Sequence, residues 1–235
     1  MQDRYVGDIG DFAKYGLLRA VSEGRNLGVA WYLHPNSGPP GDGRLTQYLK
    51  RPNEWRHLDC ELFDELKQVV CRGKRSVAEL QVCRILGDAV FADKPLDIKD
   101  VPVRCRKNWR CAWFDRVTVT LADCDLVFAD PDNGLACEEY FSPTRKPSAK
   151  SIPVHEAKAL ADGRPAIIYH HNTRRKGGHR KEIIHWMSEL PGCTRAWYWR
   201  RWSNRTFFII NPDDRMECQL EEFAKRWKWC GDLLP

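Results

Sequence analysis

Short apolar runs alternate along the chain with longer segments of helical periodicity. Residues 11 to 23 read as a first helix, because Phe12, Tyr15, Leu18 and Val21 recur near one face. The run from Gly28 to Leu33 is a short apolar strand, and at His34 it gives way to a turn-rich loop that ends at Gly43. From Leu58 to Leu86 the pattern is mainly helical, with Leu62, Leu66, Val69 and Val70 on one stripe. Residues 107 to 121 read as a helix that feeds a strand, Asp125 to Ala129, ending at Asp130. The pattern then predicts a helix over 154–161, a strand over 166–169 and a helix over 178–190. Two closely spaced strands follow, over 195–199 and 206–211, and a last helix over 217–229.

This alternation predicts an α/β fold with a Rossmann-like, mostly parallel sheet flanked by helices. The last two strands are too close for a crossover helix, so they are expected to pair antiparallel. The length, 235 residues, fits a single α/β catalytic domain. In such sheets a ligand lies at the carboxyl ends of the strands. Those ends are expected at His34, Asp130, His170 and Asn211, each polar and each directly after an apolar run.

Composition narrows the classes. No run of about 18 apolar residues is present, so no membrane span is expected. The start, Met1-Gln2-Asp3-Arg4, has no apolar stretch behind it, so a secretory signal is not expected and a cytoplasmic location is. Ten cysteines are scattered with no CxxC pair, which argues against paired zinc knuckles; they read mostly as small buried hydrophobes in a reducing compartment. The formal charge of +6 hints weakly at nucleic acid, and its distribution says more.

Arg174-Arg175-Lys176-Gly177-Gly178-His179-Arg180-Lys181 places five cations beside the strand end at His170. Its glycines permit close backbone approach, and a helix begins there, which suits phosphate. Trp197-Tyr198-Trp199-Arg200-Arg201-Trp202 interleaves aromatics with cations, which suits stacking on an extruded base or unpaired strand. Solvated charge and core tryptophans are the plainer alternative for both segments. The expected contacts to nucleic acid, DNA in the favoured reading, are Arg174, Arg175, Lys176, Arg180, Lys181, Trp199, Arg200, Arg201 and Trp202.

The candidate chemistry centres on Asp130-Pro131-Asp132-Asn133-Gly134. Two turn signals, Asp-Pro and Asn-Gly, make it a tight bend at a strand end. A bend with solvated carboxylates is the alternative, but paired carboxylates ending an apolar strand also fit a functional site. His170 and His171 are either further catalytic groups or core and capping residues. Asp11 reads as the N-cap of the first helix, which leaves Asp8 for a site role. Asp42, between two glycines, reads as a turn residue. A metal held by Asp130, Asp132 and a histidine is conceivable, although no ligand spacing specifies one.

In its order of motifs the chain resembles the Rossmann-like methyltransferases that act on exocyclic amines of bases, nearest the small bacterial enzymes that methylate adenine in large-subunit ribosomal RNA. The resemblance rests on several segments. Gly10-Asp11-Phe12-Ala13-Lys14-Tyr15-Gly16-Leu17-Leu18 is similar to that family's N-terminal helix, and Lys14 is its lysine, grouped here with the nucleic-acid contacts. Trp31-Tyr32-Leu33-His34 with Gly38 and Gly41-Asp42-Gly43 stands at its first strand and glycine loop. Asp130-Pro131-Asp132-Asn133 stands at its Asp-Pro-Pro-aromatic tetrad, and Ile209-Ile210-Asn211-Pro212 at its last strand. The resemblance implies the fold and, as one reading, S-adenosylmethionine as cofactor. The departures fall on the cofactor side: His34 replaces an acidic strand end, the stiff run Pro35-Asn36-Ser37-Gly38-Pro39-Pro40 replaces a compact glycine pair, and Asp132 replaces the second proline of a tetrad that also lacks its aromatic.

Asp130-Pro131-Asp132-Asn133 also resembles the Asp-Pro-Tyr-His water-activating motif of uracil-DNA glycosylases, with His170-His171-Asn172 standing for that family's later histidine. When a base leaves its sugar, positive charge builds on the sugar, and a carboxylate can stabilise it or activate water. The favoured expectation is therefore a cofactor-free glycosylase-type hydrolase acting in repair or phage defence, with Asp130, Asp132, Asn133, His170, His171 and Asp8 as its catalytic set. A base methyltransferase and an inactive nucleic-acid-binding module of the same fold are the other two readings.

Overall fold

The computed structural model describes residues 1–35 and 43–235. Helix α1 (Ile9–Val21) precedes strand β1 (Leu27–Trp31). Helices α2 (Pro52–Trp55), α3 (Cys60–Cys71) and α4 (Val77–Val82) lead to β2 (Val90–Ala92). Then come α5 (Arg106–Thr120), β3 (Leu126–Asp130), β4 (Gly134–Ala136) and β5 (Ser151–Pro153). The chain continues through α6 (Val154–Leu160), β6 (Ala166–His171), α7 (Gly178–Glu189), β7 (Cys193–Trp199), β8 (Arg205–Ile210), α8 (Asp214–Arg226) and β9 (Gly231–Leu234).

Seven strands form one sheet in the order β2-β1-β3-β6-β8-β7-β9, with β4 and β5 as a separate parallel pair. Strands β2, β1, β3 and β6 are parallel, whereas β8 runs antiparallel to both β6 and β7, and β9 antiparallel to β7. The fold is a Rossmann-like α/β sheet with antiparallel strands toward the C-terminus. From β1 the chain moves outward to β2 and then returns to β3 on the other side. That reversal opens a crevice at the carboxyl ends of β1 and β3, the usual ligand position in such sheets.

Alternation along each strand sorts its side chains onto two faces. Phe128, Ile167 and Phe207 pack with Phe12 of α1, Phe63 of α3 and Trp227, the C-cap of α8. Their neighbours Val127, Ile168 and Phe208 pack with Trp113, Ala157 and Ile183 of α5, α6 and α7. Both faces are covered, so β1 and β3 are buried at every position.

Several boundaries differ from the sequence pattern, each for a local reason. The first helix begins at Ile9 because Asp8 accepts from the backbone N–H groups of Gly10 and Asp11 and so caps it; Asp11 is not the cap. The long helical segment splits in two, with Asp59 capping α3 and Ser76 capping α4. The last helix starts early, at the Asp213 cap, and the residues after Trp229 turn back as edge strand β9. Reversal of β8 carries Asn211 to the far edge of the sheet, where its Nδ2 donates to the Ala161 carbonyl at 2.9 Å. His34 lies beyond β1, its N–H donating to the Met1 carbonyl. The cysteines are free and mostly not buried: only Cys124 and Cys230 are, while Cys60, Cys71, Cys105, Cys111 and Cys218 are exposed on helix surfaces and ends. The glycine and proline loop with Gly38, Gly41 and Asp42 lies outside the described residues. Among the described residues no helix is long and apolar enough to cross a membrane.

Candidate active site

A cavity of about 540 Å³ opens at the carboxyl edge of β3 and β6, walled by Asp8, Asp11, Lys14, Asp130, Asp132 and Arg205 among others. Strand parity explains who faces it. Asp130 follows Phe128 by two residues, Tyr169 and His171 follow Ile167 by two and four, and Arg205 precedes Phe207 by two. All four therefore project toward α1.

Among the described residues four carboxylates gather here, and each is held differently. Asp8 Oδ1 is taken up by the cap, at 2.7 Å from Gly10 N and 3.1 Å from Asp11 N. Asp11 accepts from Gly7 N at 3.0 Å and pairs with Lys14 Nζ at 2.8 Å. Burial pushes its carboxyl up to about 6, against the pull of Lys14 and with Asp8 and Asp130 adding like charge. Asp130 Oδ2 accepts from the same Nζ at 2.8 Å. Asp132 accepts from Gln2 Nε2 at 2.6 Å and pairs with Lys150 Nζ at 3.0 Å. Burial would raise the Asp132 pKa, but the chain's amino group at Met1, Lys150 and Gln2 outweigh it and hold the carboxyl below its ordinary value. Asp132 is therefore ionised at neutral pH.

Lys14 is not an outward cation awaiting phosphate. It is buried, wedged between Asp11 and Asp130, with its ammonium 5.3 Å from the centre of the Trp31 ring. Burial opposes its charge, but the two carboxylates hold its pKa well above the ordinary lysine value. Its position fixes Asp130 rather than meeting a ligand backbone.

Of the two histidines only His171 lines the cavity; its Nδ1 is 3.5 Å from the Tyr169 hydroxyl. His170 projects to the opposite face and is buried against Trp186 and Phe208. Its Nδ1 accepts from Leu135 N–H at 3.1 Å, which puts the proton on Nε2, 3.2 Å from Glu182 Oε1. Burial lowers its pKa against the opposing pull of Glu182, in keeping with a neutral acceptor. His170 thus anchors the bend after Asp130 from behind. Gly134 is required there: its φ is +91°, and a Cβ would lie 2.4 Å from His170 Nδ1. Asn133 is exposed at the cavity mouth, tied by its N–H to the Lys150 carbonyl at 2.7 Å.

The cationic segments flank this edge. Arg174, Arg175, Lys176, Arg180 and Lys181 are all exposed in the β6–α7 connection and the first turn of α7. The β7–β8 turn lies at the same edge, because His171 pairs with Arg205. In it Arg200 pairs with Asp232 at 3.3 Å, and Arg201 lies over the Trp229 ring at 4.8 Å. Trp199, expected to stack on bases, is instead fully buried, as is Trp197; strand alternation turns both toward the α8 core. Trp202 is 41% exposed and holds a left-handed φ of 63°, which is strained for a residue with a Cβ. The aromatic signal therefore reduces to Trp202. Where a single strand of DNA binds at this edge, Trp202→Ala is expected to weaken that binding by about 1–3 kcal/mol, the worth of one stacked base. Trp199→Ala is expected to cost about 3–5 kcal/mol of stability, as for any large core aromatic. Fluorescence anisotropy and urea unfolding check the pair, and unchanged affinity in Trp202→Ala removes it from the interface.

The sequence pattern did not single out Arg205, Tyr169, Lys150 or Gln2. Parity of β6 relative to β3 identifies Tyr169, and the reversal of β8 brings Arg205; the other two arrive by tertiary contact alone. Among the described residues no group of three or more His, Cys, Asp or Glu side chains is placed to hold a metal ion. No known family model matches the chain, and no curated protein is similar enough to count as a relative.

Proposed function

We propose that the protein is a nucleic-acid base-processing hydrolase of the N-glycosylase type, acting on DNA. The observation that carries this reading is the pair Asp130 and Asp132 in one cavity at the carboxyl edge of β3. Loss of a base breaks the C1′–N bond, the electron pair leaves with the base, and the sugar becomes cationic. Asp130 supplies a fixed negative charge beside that cation. Asp132, held ionised by Lys150, accepts a proton from the water that adds to C1′. The Met1 amino group donates to the Tyr32 and Asp130 carbonyls at 2.8 and 3.1 Å, at the crevice end of β1 and β3. Exposed cations and Trp202 at the same edge suit a nucleic-acid strand with an extruded base.

The reading is tested by incubating the protein with DNAs carrying natural, deaminated and alkylated or hydroxymethylated bases, and measuring free bases by mass spectrometry. Release of a base with matching alkali-labile sites is expected. Transfer of a labelled methyl group from S-adenosylmethionine with no base release overturns it in favour of a methyltransferase. Changing Arg174, Arg175 and Lys176 together to Ala is expected to flatten the slope of log affinity against log salt by about 2–3, because each lost phosphate contact removes 0.7–0.9. An unchanged slope, read by anisotropy between low and physiological salt, places this cluster away from the bound strand.

A further inference from the structure

Among the described residues Arg205 is a buried cation of the cavity wall with no carboxylate at hydrogen-bond distance. Its side chain is 8% exposed, so the guanidinium is largely desolvated. Nη2 donates to Ser203 Oγ, Nη1 lies 3.8 Å from Asp8 Oδ1, and Nε has no partner. The Asp8 contact is longer than a hydrogen bond, and that oxygen already caps α1. The guanidinium also sits against the N-terminal turn of α1, where the helix dipole disfavours a cation. Its seat is built into the sequence: a Cβ on Gly10 would fall 1.0 Å from Nη1. Burial opposes its charge, yet Tyr169, Asp8, Asp11 and Asp130 raise its pKa above the ordinary arginine value; it stays a cation on the cavity wall, with donors left for an anion.

We propose that Arg205 and Ser203 form a subsite for a phosphate group of the substrate nucleotide; this rests on the hydrolase reading above and adds the group that substrate must carry. The spacing fits. Asp130 and Arg205 stand on one face, two strands and two residues apart, so roughly 12 Å separates their backbones. A nucleotide with its phosphate on Arg205 spans that distance and brings its sugar to Asp130 and Asp132. The opposite wall, with its carboxylates paired to Lys14 and Lys150, is the poorer seat for an anion. Two sources carry this chemistry: a free nucleoside 5′-monophosphate and a phosphodiester within a DNA strand.

The test is calorimetric titration of the full chain with inorganic phosphate, a deoxynucleoside 5′-monophosphate, the matching nucleoside and a short single-stranded oligonucleotide. The monophosphate is expected to bind at least tenfold tighter than the nucleoside. Arg205→Gln is expected to erase that difference. Gly10→Ala keeps Arg205 but fills its seat and favours α1, so it is expected to lose phosphate affinity similarly while folding; it decides the matter if Arg205→Gln does not fold. Arg205-dependent binding of the monophosphate marks free nucleotides as the source, and Arg205-dependent binding of the oligonucleotide alone marks a strand phosphate. Phosphate-containing ligands that bind both variants as they bind wild type overturn the subsite. Binding is read without turnover, so Arg205-dependent phosphate affinity with no base release from any DNA refutes the hydrolase and leaves the subsite. Base release with Arg205-independent phosphate affinity does the reverse.

Discussion

Asp130→Asn is expected to slow the proposed base release, in single turnover, about a hundredfold or more. The loss corresponds to roughly 2.7 kcal/mol of transition-state stabilisation, within the range for removing one preorganised electrostatic group. The substitution preserves size and an acceptor for Lys14 Nζ, and Lys14 keeps its second partner, Asp11, at 2.8 Å. Backbone contacts are untouched, because the Asp130 carbonyl, not its side chain, accepts from Met1. What disappears is negative charge at a buried position on the cavity wall. The strand end and its bend should therefore stay in place while the charge facing the cavity is gone. DNA affinity, set by groups on the rim, is expected to change less than threefold, about 0.7 kcal/mol. The rate is read as alkali-labile abasic sites formed with enzyme in excess. Equal rates for Asn and Asp would remove Asp130 from the mechanism and leave it as a turn residue, a role Asn fills as well.

The same residue shows how far the amino-acid pattern reached. Asp130 could be placed at a strand end because the apolar run before it is short and bounded by turn residues. The face it occupies could not be read, since β3 is covered on both sides and carries no polar alternation. The choice between His170 and His171 was hidden for the same reason and is decided by parity with Phe128 through the register of β3 and β6. Aromatics and cations interleaved from Trp197 to Trp202 look like one binding segment. They are in fact a strand, whose alternate tryptophans enter the core, followed by a turn that leaves Trp202 outside. Arg205 stands one residue before the strand the pattern predicts over 206–211, and only the antiparallel insertion of β8 turns it toward the cavity. Strands β2 and β9 are three and four residues long, too short to show a period. Lys14 was placed on the right helix, but its two carboxylate partners come partly from a strand 116 residues away.

Glu156→Ala is expected to destabilise the protein by about 3–5 kcal/mol, the cost of leaving one member of a buried ion pair alone. Arg110 Nε and Nη2 donate to the two Glu156 oxygens, both at 2.7 Å, and the side chains are only 6% and 2% exposed. The guanidinium also donates to the Ser148 and Ser151 carbonyls and lies 5.4 Å from the Tyr32, Trp113 and Phe141 ring centres. Burial opposes its charge, but the hydrogen bonds to Glu156 raise its pKa above the ordinary value, so it cannot escape by losing a proton. Without Glu156 the charge stays buried among carbonyls and rings. The Tyr32 hydroxyl, which donates to Glu156 at 2.9 Å, loses its acceptor too. At this chain length such a loss lowers the melting temperature by roughly 6–20 °C. The consequence reaches the site, because the Tyr32 carbonyl is one of the two that hold Met1 at the crevice end of β1 and β3. Glu156→Gln keeps the shape and one acceptor and is expected to cost about half as much. Replacing both partners, Arg110→Met with Glu156→Leu, is expected to recover most of the stability lost in Glu156→Ala, since no uncompensated charge remains. Urea unfolding of the four proteins measures this. A loss below about 1 kcal/mol in Glu156→Ala would mean that water reaches Arg110 and that this network does not support the wall behind β1.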